Sequence, residues 1–385
     1  MSSSVRQQQP AEAVASGRIS TLVQSIYRSL RRRIGKNGPK NASKNLPKET
    51  PTDSPNILSR YSSRKSSKNS SRNSSKSSLK LPSLIDESTA RSRYWVEEPP
   101  INNHPDAVAL IRHYRADIED TDRMIRLLKE IRLKAWKIKH YPCVGQWLFF
   151  KFGMTEHAIY PEVIERLQQG QRILDMGCFM GFDGRKLIAD GAPSEGITNM
   201  DLEDRWFPLS FELFKDEDTF KGEFFGDCDI NDPELFEEGS IHRHRYDMIY
   251  VGYFIHLFPP SHQPKIIANL AQLLKPDTGS MIFGNTSGTA KENGYLMKAD
   301  FGPPTTNEKG ETVRPDFMFH STKTIVDLMA RGVKGDGEWD FTGEQSPIDL
   351  DLSPTKAYAQ HFKDVELVNM NFCMRRTSPS SSLAH

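Results

Sequence analysis

The 385-residue chain has a formal net charge of +1, which conceals a strong division of charge. Residues 1–85 carry 17 Lys and Arg against 3 acids, whereas the remaining residues carry 34 bases and 47 acids. The acidic body argues against nucleic acid as the partner, because phosphates would repel it. Apolar runs of the roughly 18–20 residues that span a bilayer are absent, and the four scattered cysteines form no disulfide framework.

The first 92 residues are predicted to be a disordered, basic, Ser-rich tail, because few of their side chains are apolar enough to form a core. Within this tail, residues 19–34 have the pattern of a basic amphipathic helix. Such a helix could make peripheral contact with a membrane surface, serve as an organelle presequence, act as a nuclear import patch, or have no function. Because the N-terminus lacks the apolar core of a secretory signal, we expect an intracellular and mainly cytoplasmic location.

Residues 93–168 are predicted to form a helical cap. Apolar residues between Pro105 and Lys139 recur at helical spacing and indicate two helices that join near Asp120–Asp122. A Pro-Cys-Val-Gly stretch at Pro142 ends the second helix.

Residues 169–376 alternate between short apolar strands and helices, which predicts a parallel sheet with right-handed crossovers and helices on both faces. The last two of seven strands are expected to pair through a return connection, and residues 377–385 are predicted to be disordered. The predicted strands are 172–175, 196–201, 223–226, 246–252, 280–284, 338–342 and 365–374. The predicted helices are 183–189, 208–215, 259–274 and 321–330.

A glycine-containing turn follows the first predicted strand, in the run Asp175-Met-Gly177-Cys178-Phe-Met-Gly181. Glycines there let the backbone approach a ligand closely. The run lacks the third glycine of the dinucleotide-binding pattern, and an acid opens it. A cofactor without phosphate that carries positive charge, such as a sulfonium with an ammonium group, fits these charges better than a pyrophosphate. A tight structural turn is the alternative.

Acids also end the next two predicted strands. Asp201 ends the second strand, where a carboxylate can accept both hydroxyl protons of a ribose. Asp229 and Ile230 follow the third strand, where an adenine would need a carboxylate for its amine and an apolar side chain against its ring. Each acid taken alone could be a loop residue or a helix cap. Together they lie at the sheet edge where open α/β folds bind ligands.

These features resemble the successive motifs of class I methyltransferases, in which the fold is a Rossmann-like seven-stranded α/β sheet. The runs Tyr141-Pro-Cys-Val-Gly-Gln146, Asp183-Gly-Arg185 and Phe319-His320-Ser321 are similar, more narrowly, to fungal methyltransferases of polyketide-terpenoid pathways. The resemblance implies S-adenosyl-L-methionine as the cofactor. It also implies O-methyl transfer to a carboxylate or hydroxyl of a small molecule, with methyl ester formation frequent among the relatives. The predicted cofactor residues are Asp175, Gly177, Cys178, Gly181, Asp201, Asp229 and Ile230.

His256 follows the fourth predicted strand, where a methyl acceptor should lie. With an ordinary pKa near 6.5 it could act as a general base, or it could pack beneath the cofactor. A phenol acceptor needs such a base, whereas a carboxylate arrives ionised. No metal is expected, because His242 and His244 have no third ligand nearby. The predicted substrate wall consists of Trp147, Tyr160, Tyr253, Phe254 and His320.

Two other functions fit parts of the sequence. A macromolecule-directed methyltransferase, or a methyltransferase-like nuclear regulator, would use the basic tail as an electrostatic arm. A pseudoenzyme would keep the cofactor as a structural ligand, and the intact strand-end acids do not distinguish it from an enzyme.

Overall fold

The structure is a computed structural model that describes residues 91, 94–298, 305–306, 312–313, 316–348, 362 and 364–380. The predicted helix 19–34 and nearly all of the predicted tail 1–92 lie outside these residues. Within the described ranges, no helix combines the length and the apolar character needed to cross a bilayer.

The cap begins with two helices that join where the sequence predicts. Pro105 opens the first helix, and the Asp120 carboxylate caps the second by accepting the backbone amides of Asp122 and Arg123 at 3.0 and 3.2 Å. Both helices bury one apolar face in the cap core. The cap helices are α1 (Pro105–Tyr114), α2 (Thr121–Ile138) and the short α3 (Pro142–Gly145).

Alternating strands and helices follow the cap, in the predicted order. The helices are α4 (Tyr160–Gln168), α5 (Phe182–Ala189), α6 (Trp206–Phe214), α7 (Gln263–Leu273) and α8 (Thr322–Gly332). The strands of the large sheet are β1 (Ile173–Met176), β2 (Ile197–Met200), β3 (Glu223–Phe225), β4 (Met248–Gly252), β5 (Met281–Thr289), β10 (Trp339–Pro347) and β11 (Leu367–Arg376). The smaller strands are β6 (Tyr295–Met297), β7 (Thr305–Thr306), β8 (Thr312–Val313) and β9 (Phe317–Phe319).

The seven large strands form one sheet in the order β10-β11-β5-β4-β1-β2-β3. Neighbouring strands from β5 to β3 pair in parallel, whereas β11 is antiparallel to both β5 and β10. The strand order reverses at β1 and β4, so the crevice between them opens at the carboxyl edge of the sheet. This is the seven-stranded class I methyltransferase sheet that the sequence predicts.

Alternate residues of each central strand face opposite sides of the sheet. Leu174, Val251 and Ile282 pack against helices α7 and α8. Ile173 and Phe283 pack on the other side with α4 and α5. Both faces are therefore covered, which explains why these strands read as continuous apolar runs.

The structure extends several elements beyond their predicted ends. β5 continues to Thr289, because Asn285 and Thr286 stay buried there within the pairing with β11. The two-stranded sheets β6–β9 and β7–β8 were not predicted, since their strands have only two or three residues each. The described chain also runs four residues past Arg376 to Ser380, whose hydroxyl bonds to the Asp336 carboxylate. Residues 381–385 of the predicted disordered end lie outside the described residues.

Candidate functional site

Strained backbone conformations lie at the carboxyl edge of the sheet. Phe179, Asp227 and Tyr253 follow β1, β3 and β4, and have φ angles of 54°, 54° and 48°. A left-handed conformation is costly for residues with a β-carbon and is concentrated at functional sites. Four other non-glycine residues in the described ranges share this conformation, namely Trp147, Lys215, His244 and Glu366, so it supports the edge as the candidate site only together with its acids.

The glycine turn after β1 approaches its neighbours too closely for any larger residue. Gly177 has φ 77°, and a β-carbon there would lie 2.8 Å from the ring of Phe254. Gly181 has φ 63° and is the N-cap residue of α5. The backbone amides of Gly177 and Cys178 both donate to the carbonyl oxygen of Met200, at 2.7 and 3.2 Å. Cys178 is buried, and burial raises the pKa of its thiol, so this cysteine is a packing residue and not a nucleophile.

Two carboxyl groups lie beneath the glycine turn. Burial first, and then the charges of Asp183 and Asp201, raise the pKa of Asp175 well above its usual range. Burial also raises the pKa of Asp183, although the backbone amide of Met154 donates to its carboxylate at 3.3 Å. Within the described ranges Asp175 has no cationic partner. A ligand that brings positive charge would therefore stabilise the ionised forms of this pair.

Asp201 follows β2 and fixes the glycine turn from the side. Its two carboxylate oxygens accept the backbone amides of Phe179 at 2.8 Å and Glu203 at 2.9 Å. Burial raises its pKa to about 6, while these two amides oppose the shift. Each carboxylate oxygen can accept a further hydrogen bond. Asp201 is therefore ionised at neutral pH and keeps the capacity to bind a ribose.

Asp229 and Ile230 follow β3, as predicted, but only the Asp229 side chain is exposed enough to contact a ligand. The Asp229 Oδ1 oxygen accepts the backbone and side-chain nitrogens of Asn231 at 2.9 and 3.1 Å, so Oδ2 keeps its acceptor capacity. Ile230 is only 2% exposed and packs in the sheet core. Because so little of the Ile230 side chain is exposed, it can make only a small contact with an adenine ring.

The cap lies against Asp201 through residues that sequence reasoning did not assign to the cofactor. Burial, and then the charges of Cys143 and Asp201, raise the pKa of Tyr141 above its usual range. Burial and the charge of Asp201 raise the pKa of Cys143 to about 12. Burial lowers the pKa of Lys139, and the negative charge of Asp201 opposes this shift. In the sequence, the Tyr141–Gln146 run is the signal that indicates this contact.

His256 lies on the 3₁₀ turn Ile255–Leu257 that follows β4. Its Nδ1 atom is 3.3 Å from the hydroxyl oxygen of Thr286, and its ring is 5.4 Å from that of Phe317. Burial lowers its pKa from 6.5 to about 4, so the imidazole is neutral at pH 7. A neutral imidazole at the mouth can accept a proton if Nε2 is unprotonated.

Known proteins match both the cap and the sheet. Residues 95–150 match the meroterpenoid methyltransferase N-terminal domain. The O-methyltransferase atr3 of Stereocaulon alpinum is 34% identical over 207 residues, which are 53% of this chain and 59% of that protein. Methyltransferase adrK of Penicillium roqueforti is 30% identical over 161 residues, which are 42% of this chain and 57% of that protein. Over these matched parts the chain is similar to fungal methyltransferases.

The matched parts cover less than two thirds of the length of these curated relatives. Among solved structures, an S-adenosylmethionine-dependent methyltransferase from Mesorhizobium loti aligns with a TM-score of 0.35 and 15% identity. That alignment covers 58% of this chain and all of the other chain.

The predicted substrate wall needs correction at three positions. Trp147 lies in the cap core, where it holds the Arg132 guanidinium at 4.0 Å and donates to the carbonyl oxygen of Val96. The Tyr160 hydroxyl donates to Asp190, at the far end of α5 from the site. Local sequence does not reveal these partners, because they lie 51 and 30 residues away along the chain.

His320 is the third correction. Its Nε2 atom is 2.8 Å from the side-chain oxygen of Gln263, and its Nδ1 atom is 3.2 Å from the Thr324 hydroxyl. Gln263 in turn donates to the carbonyl oxygens of Ile255 and Phe258. His320 therefore braces the turn that carries His256, and both of its ring nitrogens are already used.

The two remaining wall residues lie at the mouth. Phe254 covers Gly177, and the Tyr253 hydroxyl donates to Asn369 on β11 at 3.0 Å. In the described part of the chain, His, Cys, Asp and Glu form no group of three that could hold a metal ion. His242 bonds instead to the Tyr246 hydroxyl at 3.0 Å.

Proposed function

We propose that the protein is an S-adenosylmethionine-dependent O-methyltransferase of fungal secondary metabolism, acting on a carboxylate or hydroxyl of a polyketide- or terpenoid-derived small molecule. The observation that carries the proposal is the edge of the sheet, where the glycine turn and the carboxyl groups of Asp175, Asp201 and Asp229 follow three successive parallel strands. The names of the fungal relatives support the reaction type.

The residues of the edge fit this cofactor. A sulfonium and an ammonium group match the buried Asp175 and the half-buried Asp183, which have no other cation within the described ranges. Asp201 would bind the ribose hydroxyls, and Asp229 the adenine amine. When bound, the cofactor supplies an activated methyl group for in-line displacement.

The chain itself contributes alignment, exclusion of water and proton control. The cap segment from Lys139 to Cys143 covers the ribose acid and shields the donor. Alignment of donor and acceptor supplies a large part of the rate for such a displacement. His256 is neutral and lies next to the acceptor side, where it can take the proton of a hydroxyl acceptor.

Calorimetric titration with S-adenosylmethionine tests the proposal. The wild-type protein should bind it, and Asp201→Ala should lose about 1.5–3 kcal/mol of binding free energy, the scale of hydrogen bonds to a charged group. Asp218→Ala is the matched control, because it removes an exposed acid away from the strand ends. Equal affinity in Asp201→Ala and Asp218→Ala would refute the cofactor assignment.

Methyl transfer is tested by incubating the protein and cofactor with extracts of the source fungus. Mass spectrometry should show a metabolite that gains one methyl group and an equal amount of S-adenosylhomocysteine. Cofactor binding without any methylated product would instead favour the pseudoenzyme.

A further inference from the structure

A row of five rings runs outward from the carboxyl edge of the sheet, from the end of β4 to the small strand β9. Successive ring centroids along this aromatic row lie 6.2, 5.4, 4.7 and 5.6 Å apart, which is the ordinary spacing of packed aromatic side chains. In order, the rings belong to Tyr253, His256, Phe317, Phe319 and Phe362.

The two ends of the aromatic row differ in burial. Phe319 and Phe362 are only 2% and 8% exposed, and they form a small apolar core with Val365. Tyr253, His256 and Phe317 are half-buried, so each of these rings keeps accessible area. A ligand that covers this area removes apolar surface from water, which favours its binding.

Strand β5 fixes the position of Phe317 relative to His256. The hydroxyl oxygen of Thr286, on β5, lies 3.3 Å from the His256 Nδ1 atom. Three residues later on the same strand, the backbone amide of Thr289 donates to the carbonyl oxygen of His320 at 2.9 Å. His320 directly follows β9, the strand that carries Phe317. The two rings are therefore held by one strand of the large sheet.

The inner end of the aromatic row adjoins the site proposed for the cofactor. Phe254 lies between Tyr253 and His256 in the chain, and its ring would be 2.8 Å from a β-carbon on Gly177. The segment that begins the row is thus the one that covers the glycine turn. A molecule whose reacting oxygen lies near the methyl donor can therefore extend along the row towards Phe317.

The surroundings of this inner end are uncharged and apolar. Burial is the only cause that lowers the pKa of His256, and no charge of a described residue contributes to that shift. Asp316, which precedes Phe317, is paired with Lys298 at 2.8 Å. Leu257, next to His256, is 45% exposed although it is a large apolar side chain. These walls favour an apolar ligand body over a charged one.

We infer that Phe317 determines acceptor specificity, by packing against an apolar ring system in the part of the acceptor that does not react. The inference rests on the proposed methyl transfer and deepens it. It places this wall on β9, where the sequence analysis expected Trp147, Tyr160 and His320. Phe317 was missed because it belongs to a strand of three residues with no periodic pattern.

Two carboxylates of different size test the inference. Abietate, a tricyclic terpenoid acid, and cyclohexanecarboxylate both carry a carboxylate on a six-membered carbon ring, but only abietate has further rings that can reach Phe317. Their binding is measured by ligand-observed NMR titration of the whole protein in the presence of S-adenosylhomocysteine. Abietate should bind at least about tenfold more tightly. Equal affinities of the two probes would overturn the inference.

Variants locate the contact with abietate. Phe317→Ala should weaken abietate binding about tenfold, and Phe317→Leu, which keeps an apolar side chain, about threefold. Phe341→Ala is the matched control, because Phe341 is another half-buried phenylalanine, on β10, that packs against the core on the α7 and α8 side of the sheet. It should leave abietate binding unchanged. Equal abietate affinity in Phe317→Ala and Phe341→Ala would exclude Phe317 as the contact.

A separate titration of each protein with S-adenosylhomocysteine distinguishes the two proposals. Failure of the wild-type protein to bind S-adenosylhomocysteine would refute the proposed function. Normal binding of S-adenosylhomocysteine without a preference for abietate would refute only the role of Phe317. Loss of S-adenosylhomocysteine affinity in Phe317→Ala alone would also overturn that role, because Phe317 would then support the cofactor edge.

Discussion

Substitution of Gly177 by alanine separates two costs that the glycine turn avoids. At φ 77° an alanine in the left-handed region costs about 1–2 kcal/mol. Its β-carbon would also lie 2.8 Å from the Phe254 ring, and such overpacking costs about 1–3 kcal/mol. The expected loss of unfolding free energy is therefore about 2–5 kcal/mol. Cofactor affinity should fall as well, because the turn must shift.

Gly170 provides the control for the backbone cost. It has φ 85°, and a β-carbon there would meet nothing within 4 Å, so Gly170→Ala should lose only about 1–2 kcal/mol. Urea unfolding measures both variants. Adding Phe254→Leu to Gly177→Ala should recover part of the steric cost in a double-mutant cycle. Equal losses for the two alanine variants, together with no coupling to Phe254, would refute the close approach.

Three further predictions concern the site and the tail. Cofactor affinity should weaken as pH falls through about 6, because protonation of Asp201 removes the charged acceptor for the ribose. Asp201→Asn should bind the cofactor weakly at every pH, and a wild-type affinity that does not change with pH would contradict this prediction. With a hydroxyl acceptor, His256→Gln should lower kcat roughly 10²–10⁴-fold. The wild-type rate should rise with pH near 4 and not near 6.5, because burial lowers the pKa of His256 to about 4. A loss of less than threefold in His256→Gln would show that His256 is not the base. Deletion of residues 1–90 should leave the unfolding midpoint and cofactor affinity unchanged by circular dichroism and calorimetry, while an insoluble product would show that the tail belongs to the fold.

The succession of strands along the chain and the strand-end acids were predictable because their signals are local. Apolar runs mark β1, β2 and β4, and an acid that ends such a run must lie at the carboxyl edge of a parallel sheet. Asp175 and Asp201 lie there as expected. The positive φ of the glycine turn was equally readable from Gly177 and Gly181.

The acceptor side was not predictable, because distant residues build it. His320 was expected at a substrate wall, yet its partner Gln263 is 57 residues away and uses its ring nitrogen for bracing. The Phe317 ring lies 5.4 Å from that of His256, on a strand far along the chain, and no periodicity encodes that contact. The pKa of His256 likewise depends on burial by neighbours that a single sequence does not reveal.

The position of β11 has a consequence for how the chain acquires its structure during synthesis. β11 leaves the ribosome after both β5 and β10, yet it lies between them and pairs with nine residues of each. Until it emerges, β5 presents an open edge and β10 has no neighbour in the sheet. During this interval the unpaired edge of β5 can pair wrongly or bind a chaperone.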